Sequence, residues 1–321
     1  MDQQQSPLLR LPTEIKLIIW DMLFLPGHGI SAAKAVSRAT TQSHEQDANP
    51  EEPWTIHIHN LPPSESGPPP LHRSTYLIRN HTTLFTSRTT RTTYALALPP
   101  NTPPSTPLTT IYPFRAAISL LATCKYLHAT LTPLLYSSYS FSFATNIEAI
   151  PPFLADRGPL ARAHIRHLAL TKRAAPYTLS ADAAAWTTAM AFLAAPSSGL
   201  RLDSIDLGVQ ALIPGGSGAA TSANADDDDT AWAALPVVDS GWFRAASCMG
   251  VFGGGAGGGE GLGWAEQMHR VRGLSCVTVR GVRERCAMPT SAQMVFWVGF
   301  SRSIELGFRR WCWEEMVRGG A

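Results

Sequence analysis

The sequence predicts an α+β or α/β protein built on a mainly parallel sheet with flanking helices, and three observations carry that prediction. An apolar spacing, h-x-x-h-x-h, appears at Ile165, Leu168 and Leu170, returns at Leu202, Ile205 and Leu207, and returns again at Leu274, Val277 and Val279. The strand centres Leu168 and Ile205 are 37 residues apart, and Ile205 and Val277 are 72 apart, close to twice that step. Helix-period segments lie between them, and connections of that length are what parallel pairing requires. The third observation is residues 118–143, where a helix-period pattern passes directly into a strand-period one.

The elements follow in chain order. Leu8, Leu9 and Leu11 lead into Pro12-Thr13-Glu14, where proline suits the first helical turn and the acid faces the positive end of the helix dipole. Ile15, Ile18, Ile19, Met22 and Leu23 then form an amphipathic stripe with Trp20 at its margin, stopped by Pro26-Gly27. Residues 27–53 are polar and aperiodic and read as a disordered insertion. Trp54, Ile56 and Ile58 alternate with Thr55, His57 and His59, which predicts a strand. Tyr76 with Ile78, and residues 93–98, predict two weaker strands joined as a hairpin, with Pro-rich loops on either side.

In the pivotal segment Leu120, Leu121, Cys124, Leu127, His128 and Leu131 recur at three- and four-residue spacing, so the pattern predicts one helical stripe with Cys124 and His128 in it. Beyond Pro133 and a last turn, Tyr139, Phe141 and Phe143 alternate with Ser138, Ser140 and Ser142, predicting a strand with one apolar face. Further helices are predicted from Ser180 through Trp186, Met190 and Leu193, over 242–248, over 262–270, and from Thr290 or Ser291 to Gly299. Ile304, Leu306 and Phe308 predict a final strand. The strand-helix units would curve as an irregular leucine-rich-repeat-like sheet. Low-complexity loops at 214–231 and 250–263 sit outside it.

Composition narrows the function. The net charge of +2 gives no general attraction to polyanions, although arginine dominates: only Lys16, Lys34, Lys125 and Lys172 are lysines among 26 basic residues. Five cysteines with no CxxC pair point to a reducing compartment. The N-terminus has neither the basic start nor the apolar run of an export signal, and no window nears 18 consecutive apolar residues, so the expected location is cytoplasmic or nuclear, away from membranes.

No strong catalytic, cofactor or metal constellation emerges. His57-x-His59 supplies two imidazoles on one strand face, which is short of a metal site. The four acids at 226–229 lack the donor alternation of a calcium loop, and the glycines of 253–263 fit no phosphate-binding motif. Cys124 and His128 are within reach of one another, but their place in the apolar stripe predicts packing. An enzyme would have to bring together separated residues such as His128, His164, His167 and Asp206. Arg309-Arg310-Trp311-Cys312-Trp313 interleaves bases and rings as a single-stranded nucleic-acid platform does, and Arg270, Arg272, Arg280, Arg283 and Arg285 cluster around the third repeat. Glu314 and Glu315 and the near-neutral total make nucleic-acid binding the minor alternative.

Two stretches resemble a known family. Residues 7–20, PLLRLPTEIKLIIW, resemble the opening of the F-box-like domains found in a large, poorly characterised group of filamentous-fungal proteins. Residues 121–128, LATCKYLH, followed by TPLLYS at 132–137 and the strand around Phe141-Ser142-Phe143, resemble that group's second signature, and 164–170 its third. The resemblance implies a split N-terminal F-box-like helical module over 1–145, with a long insertion at 26–110, packed on a strand-helix body over 146–321. It implies a non-enzymatic protein-interaction protein, a substrate adaptor that docks on the Skp adaptor of a cullin-RING ubiquitin ligase. Leu11, Pro12, Ile15 and Ile18 are then the partner contacts, while Ile19, Met22 and Leu23 hold the module together. The competing expectation is a structural or regulatory interaction protein with no ubiquitin-ligase role. The two differ in geometry: docking needs an exposed apolar patch on the first helix, whereas the structural role buries it.

Overall fold

The computed structural model describes residues 11–24, 54–60, 72–81, 87–97, 119–173, 180–214, 237–249, 262–286 and 289–318. The predicted loops at 27–53, 214–231 and 250–263 lie almost wholly outside these residues. Seven strands form one sheet: β1 (Trp54–Asn60), β2 (His72–His81), β3 (Ser87–Ala97), β4 (Tyr139–Ala144), β5 (His167–Lys172), β6 (Ser204–Pro214) and β7 (Cys276–Cys286). Their order is β2-β3-β1-β4-β5-β6-β7. The ladders from β1 through β4, β5 and β6 to β7 are all parallel, and only the β2–β3 hairpin and its junction with β1 are antiparallel. The architecture is therefore mixed α+β, a parallel sheet flanked by helices.

The three h-x-x-h-x-h segments stand side by side. Leu168 is paired with Ile205 and Ile205 with Val277, while Leu170 is paired with Leu207 and Leu207 with Val279. The first apolar residue of each segment, Ile165, Leu202 or Leu274, is buried just before its strand begins. This repeat position is a plug under the turn rather than part of the ladder, which is why the strands start later than the spacing predicts. Asp203 ties the three turns: its N–H donates to Arg166 O at 2.8 Å, and its carbonyl accepts from Ser275 at 2.8 Å and Cys276 at 3.1 Å.

Helix α1 (Thr13–Phe24) and helix α2 (Lys125–Ser138) touch one another. Short helices α3 (Ile150–Asp156) and α4 (Pro159–His164), each with proline in its first turn, follow β4. Helix α5 (Ser180–Ala194) follows β5 and ends at a 3₁₀ turn closed by Gly199 with φ 69°. Helix α6 (Ser240–Cys248) and helix α7 (Gly263–Met268) lie between β6 and β7. Helix α8 (Ala292–Ser301), a π-helical turn at Ile304–Phe308 and helix α9 (Arg309–Met316) complete the chain. Asp239 and Ser291 cap α6 and α8, accepting from Trp242 at 2.8 Å and Met294 at 3.2 Å.

Side chains on one face of the sheet, including Phe141, Leu168, Ile205 and Val277, join a core that continues into an aromatic cluster of Phe243, Trp264, Phe300, Phe308 and Trp311. Trp186 meets Trp264 edge-on and donates its indole N–H to the Trp264 carbonyl at 2.9 Å. Lys172 is buried with its ammonium 5.6 Å and 6.0 Å from those two rings, so aromatic faces replace part of its hydration.

Three expectations need correction. Ser140 and Ser142 are buried at 8% and 7% exposure, so β4 is enclosed on both sides, as an inner parallel strand is, rather than apolar on one face only. Cys124 and His128 are exposed, not packed. The helix is broken there: a short turn stops after Leu121, and Cys124 is an extended N-cap whose sulfur accepts from Leu127 N–H at 3.5 Å. The stripe resumes out of phase, burying Leu127, Leu131 and Leu135. Residues 304–308 are π-helical, not a strand, with Phe308 N–H donating to Ser303 O at 2.9 Å. Its cause is tertiary: the backbone of Val238 and Asp239 lies against Gly307, where any Cβ would run into the Val238 carbonyl, and Ser303 Oγ accepts from Val238 N–H at 2.8 Å. The strands predicted between the two helices, β1, β2 and β3, join the main sheet.

At the β7 edge the π-helical turn and α9 pack against the strand, and Gly281 N–H donates to Glu305 Oε1 at 3.1 Å. At the other end the sheet closes on the hairpin strand β2.

Candidate protein-interaction surface

Helix α1 opens with Lys16 N–H donating to the Pro12 carbonyl at 3.0 Å, and Glu14 lies in its first turn. Successive residues turn by about 100° around a helix, so Leu11, Ile15 and Ile18 share one side and Trp20 falls on the opposite one. Trp20 is 1% exposed, and Ile19 is half-buried against the core. Ile15 and Ile18, by contrast, are 43% and 51% exposed, Pro12 is exposed and Leu11 is half-buried. Ile15 and Ile18 thus share one exposed side of the helix, with Leu11 and Pro12 in the segment just before it. The side chains of Met22 and Leu23 lie outside those described.

Two features fix α1 in place. Lys16 sets its ammonium 5.6 Å from the centre of the Tyr126 ring on α2, and Tyr126 is itself 49% exposed, extending the amphipathic surface beyond α1. Sequence reasoning missed Tyr126 because its position off the α2 stripe carried no signal. Trp20 is the inner anchor, although its indole N–H has no hydrogen-bond partner among the described residues.

The residues considered for chemistry are scattered. His128 is exposed on α2, and His164 ends α4. His167 and Asp206 lie on neighbouring strands, but His167 Nδ1 pairs with Ser204 Oγ at 2.8 Å, whereas Asp206 holds Arg280 at 2.7 Å. Burial keeps His167 below the usual histidine range, partly opposed by Asp203. A neutral imidazole beside a hydroxyl is a local polar pair; no carboxylate hydrogen-bonds its other nitrogen among the described residues. Burial raises Cys312 well above the usual thiol range, so it stays protonated and inert. The side chains of His57 and His59 lie outside those described, and no group of three metal-ligating side chains gathers among the described residues.

The arginine-rich motif near the C-terminus divides in the same way. Trp311 and Cys312 are buried in the core, so that ring is not offered to a base. Trp313 is half-buried beneath Arg318 at 4.8 Å, and Arg310 is tied to Glu314 at 3.1 Å. No helix among the described residues is long and apolar enough to cross a membrane. The chain matches no family model, no curated protein and no solved structure.

Proposed function

We propose that this chain is a non-enzymatic protein-interaction protein that docks a partner through Leu11, Pro12, Ile15 and Ile18, with a Skp-type adaptor of a cullin-RING ubiquitin ligase as that partner and the parallel-sheet body as the substrate-recruiting part. The observation that carries the reading is the exposure of Ile15 and Ile18 on a helix whose opposite side is anchored by Trp20. Exposed isoleucines on a held helix suit a docking surface, because burying them releases water without reordering the backbone. The contact between α1 and α2 supports a split F-box-like module, and the side-by-side register of the h-x-x-h-x-h segments supports a repeat-like body. Such a protein works in the cytoplasm or nucleus.

The second reading, a structural or regulatory interaction protein with no ligase role, is favoured by one fact: β1, β2 and β3, which lie between the two helices in sequence, belong to the main sheet. A helical pair laced into the body in this way is less like a detachable docking module.

Co-purification of the full chain with the Skp adaptor separates the two. Capture by the wild type, abolished in an Ile15→Ser/Ile18→Ser variant, is the expected result. Background-level capture, while hydrogen exchange shows the amides of residues 13–24 protected, overturns the adaptor reading and leaves the second.

A further inference from the structure

The exposed isoleucines of α1 do not stand alone. Tyr126, in the first turn of α2, is exposed as well, and its ring lies 5.6 Å from the Lys16 ammonium, so apolar area passes from one helix to the next where the two touch. The charge around this step has one sign. Residues 66–147 contain no aspartate or glutamate, yet they carry Arg73, Arg79, Arg88, Arg91, Arg115 and Lys125. Over residues 148–321, by contrast, bases and acids are equal in number. Acids outnumber bases in residues 1–53, but Glu14 is the only one of them whose side chain is described. At about 100° per residue Glu14 lies on the side of α1 away from Lys16, and hence away from Tyr126. Lys125 is exposed and opens α2, a 14-residue helix with no acid of its own, so it stands at the positive end of that helix dipole.

We propose that this surface takes an acidic amphipathic helix of a partner protein, its apolar ridge on Ile15, Ile18 and the Tyr126 ring and its carboxylates on the flank that faces Lys16 and Lys125. The inference deepens the reading of α1 as a docking element and rests on it. A helix suits the surface because α1 and α2 have their own backbone groups bonded along each helix, so they offer side chains and no strand edge. Ile15 and Ile18, three residues apart, form the kind of ridge that a partner helix with apolar side chains every three or four residues can straddle. Ammonium groups at the edge of an apolar patch add selectivity and faster encounter more than affinity. The two lysines therefore choose the partner and the apolar side chains hold it.

The test is fluorescence anisotropy on the full chain with three labelled probes: a helical peptide with a leucine ridge flanked by glutamates, the same peptide with lysines in their place, and a single-stranded RNA. The expected result is saturable, salt-sensitive binding of the acidic peptide alone. It should weaken about tenfold or more in Ile15→Ser/Ile18→Ser and about threefold or more in Lys16→Gln/Lys125→Gln. Hydrogen exchange over residues 13–24 verifies that α1 stays formed in both variants, and an Arg309→Gln control on α9 should bind as the wild type does. No binding of the acidic peptide, equal binding of the lysine peptide, an unchanged affinity in the lysine double variant, or tighter binding of the RNA overturns the proposal. Capture of the Skp adaptor by a chain that ignores the acidic peptide would remove this inference and leave the adaptor reading. Peptide binding without adaptor capture would do the reverse.

Discussion

The first and last helices of the described chain, α1 and α9, are both short elements laid on the same body, yet they meet water in opposite ways. Helix α9 turns Trp311, Cys312 and Met316 inward and exposes Arg309 and Arg310, with Arg244, Arg310 and Glu314 linked across its outer side. Helix α1 buries Trp20 and exposes Ile15 and Ile18. Apolar burial stabilises by roughly 25 cal/mol per Å2, so α9 has realised that stabilisation within the fold, whereas α1 retains apolar area that a partner can cover. The contrast is between an end whose apolar side chains are buried and one that leaves two isoleucines to water.

The sharpest way to break this comparison is Phe308→Ala. Its fully buried ring lies 5.1 to 5.7 Å from those of Phe243, Trp264, Phe300 and Trp311, so its removal should cost about 3–5 kcal/mol in chemical denaturation. A loss below about 1 kcal/mol would show that the aromatic cluster does not anchor the α9 end.

Acid should loosen the same end. His269 packs edge-on against Trp311 with ring centres 4.2 Å apart, and burial, reinforced by Arg272, lowers it to about 4 from the ordinary 6.5. Between those values the unfolded chain takes up a proton that the folded chain refuses. Stability is therefore complete above pH 6.5 and falls as pH drops towards 4, by about 3 kcal/mol in total. His269→Phe should flatten that segment of the stability profile relative to wild type, and an unchanged slope would exclude His269 as its source.

Smaller effects belong to the polar ties. Ser301, fully buried, accepts from Leu212 N–H at 2.7 Å and donates to the Trp297 carbonyl at 2.7 Å, fastening α8 to β6. Ser301→Ala strands the Leu212 amide and should cost about 1–3 kcal/mol, read as a shift in the denaturation midpoint with an unchanged slope. Ile15→Ser/Ile18→Ser comes last, changing stability by no more than about 0.5 kcal/mol because water already reaches both side chains. A larger loss would mean that these isoleucines pack in the folded chain, and the comparison between α1 and α9 would fail.

Much of the sheet was legible because the repeat spacing is a local signal with a geometric meaning. Leu168, Ile205 and Val277 were picked as strand centres from sequence and stand adjacent in the ladder. Ser291 caps the helix that the sequence places from Thr290 or Ser291. What escaped was set by distant contacts. The alternation of Ile304, Leu306 and Phe308 mimics a strand, but Leu306 is 51% exposed, and the approach of Val238 to Gly307 decides the π-helical path. Gly307 was the available signal, since a glycine amid bulky residues often marks a close backbone approach. The four candidate contacts at the start of α1 were named from a resemblance and one helical stripe. Their neighbour Tyr126 comes from a separate part of the chain and meets Lys16 only in three dimensions.

The hydrogen bond from Gly281 to Glu305 has a consequence for self-association. A parallel sheet that ends on a bare strand offers its outward amides as a template for a strand from another molecule. Here the carboxylate occupies one such amide, and the π-helical turn and α9 pack against the strand, so a second chain meets charge and side chains at that rim. Glu305 thus blocks the addition of a further strand at that rim.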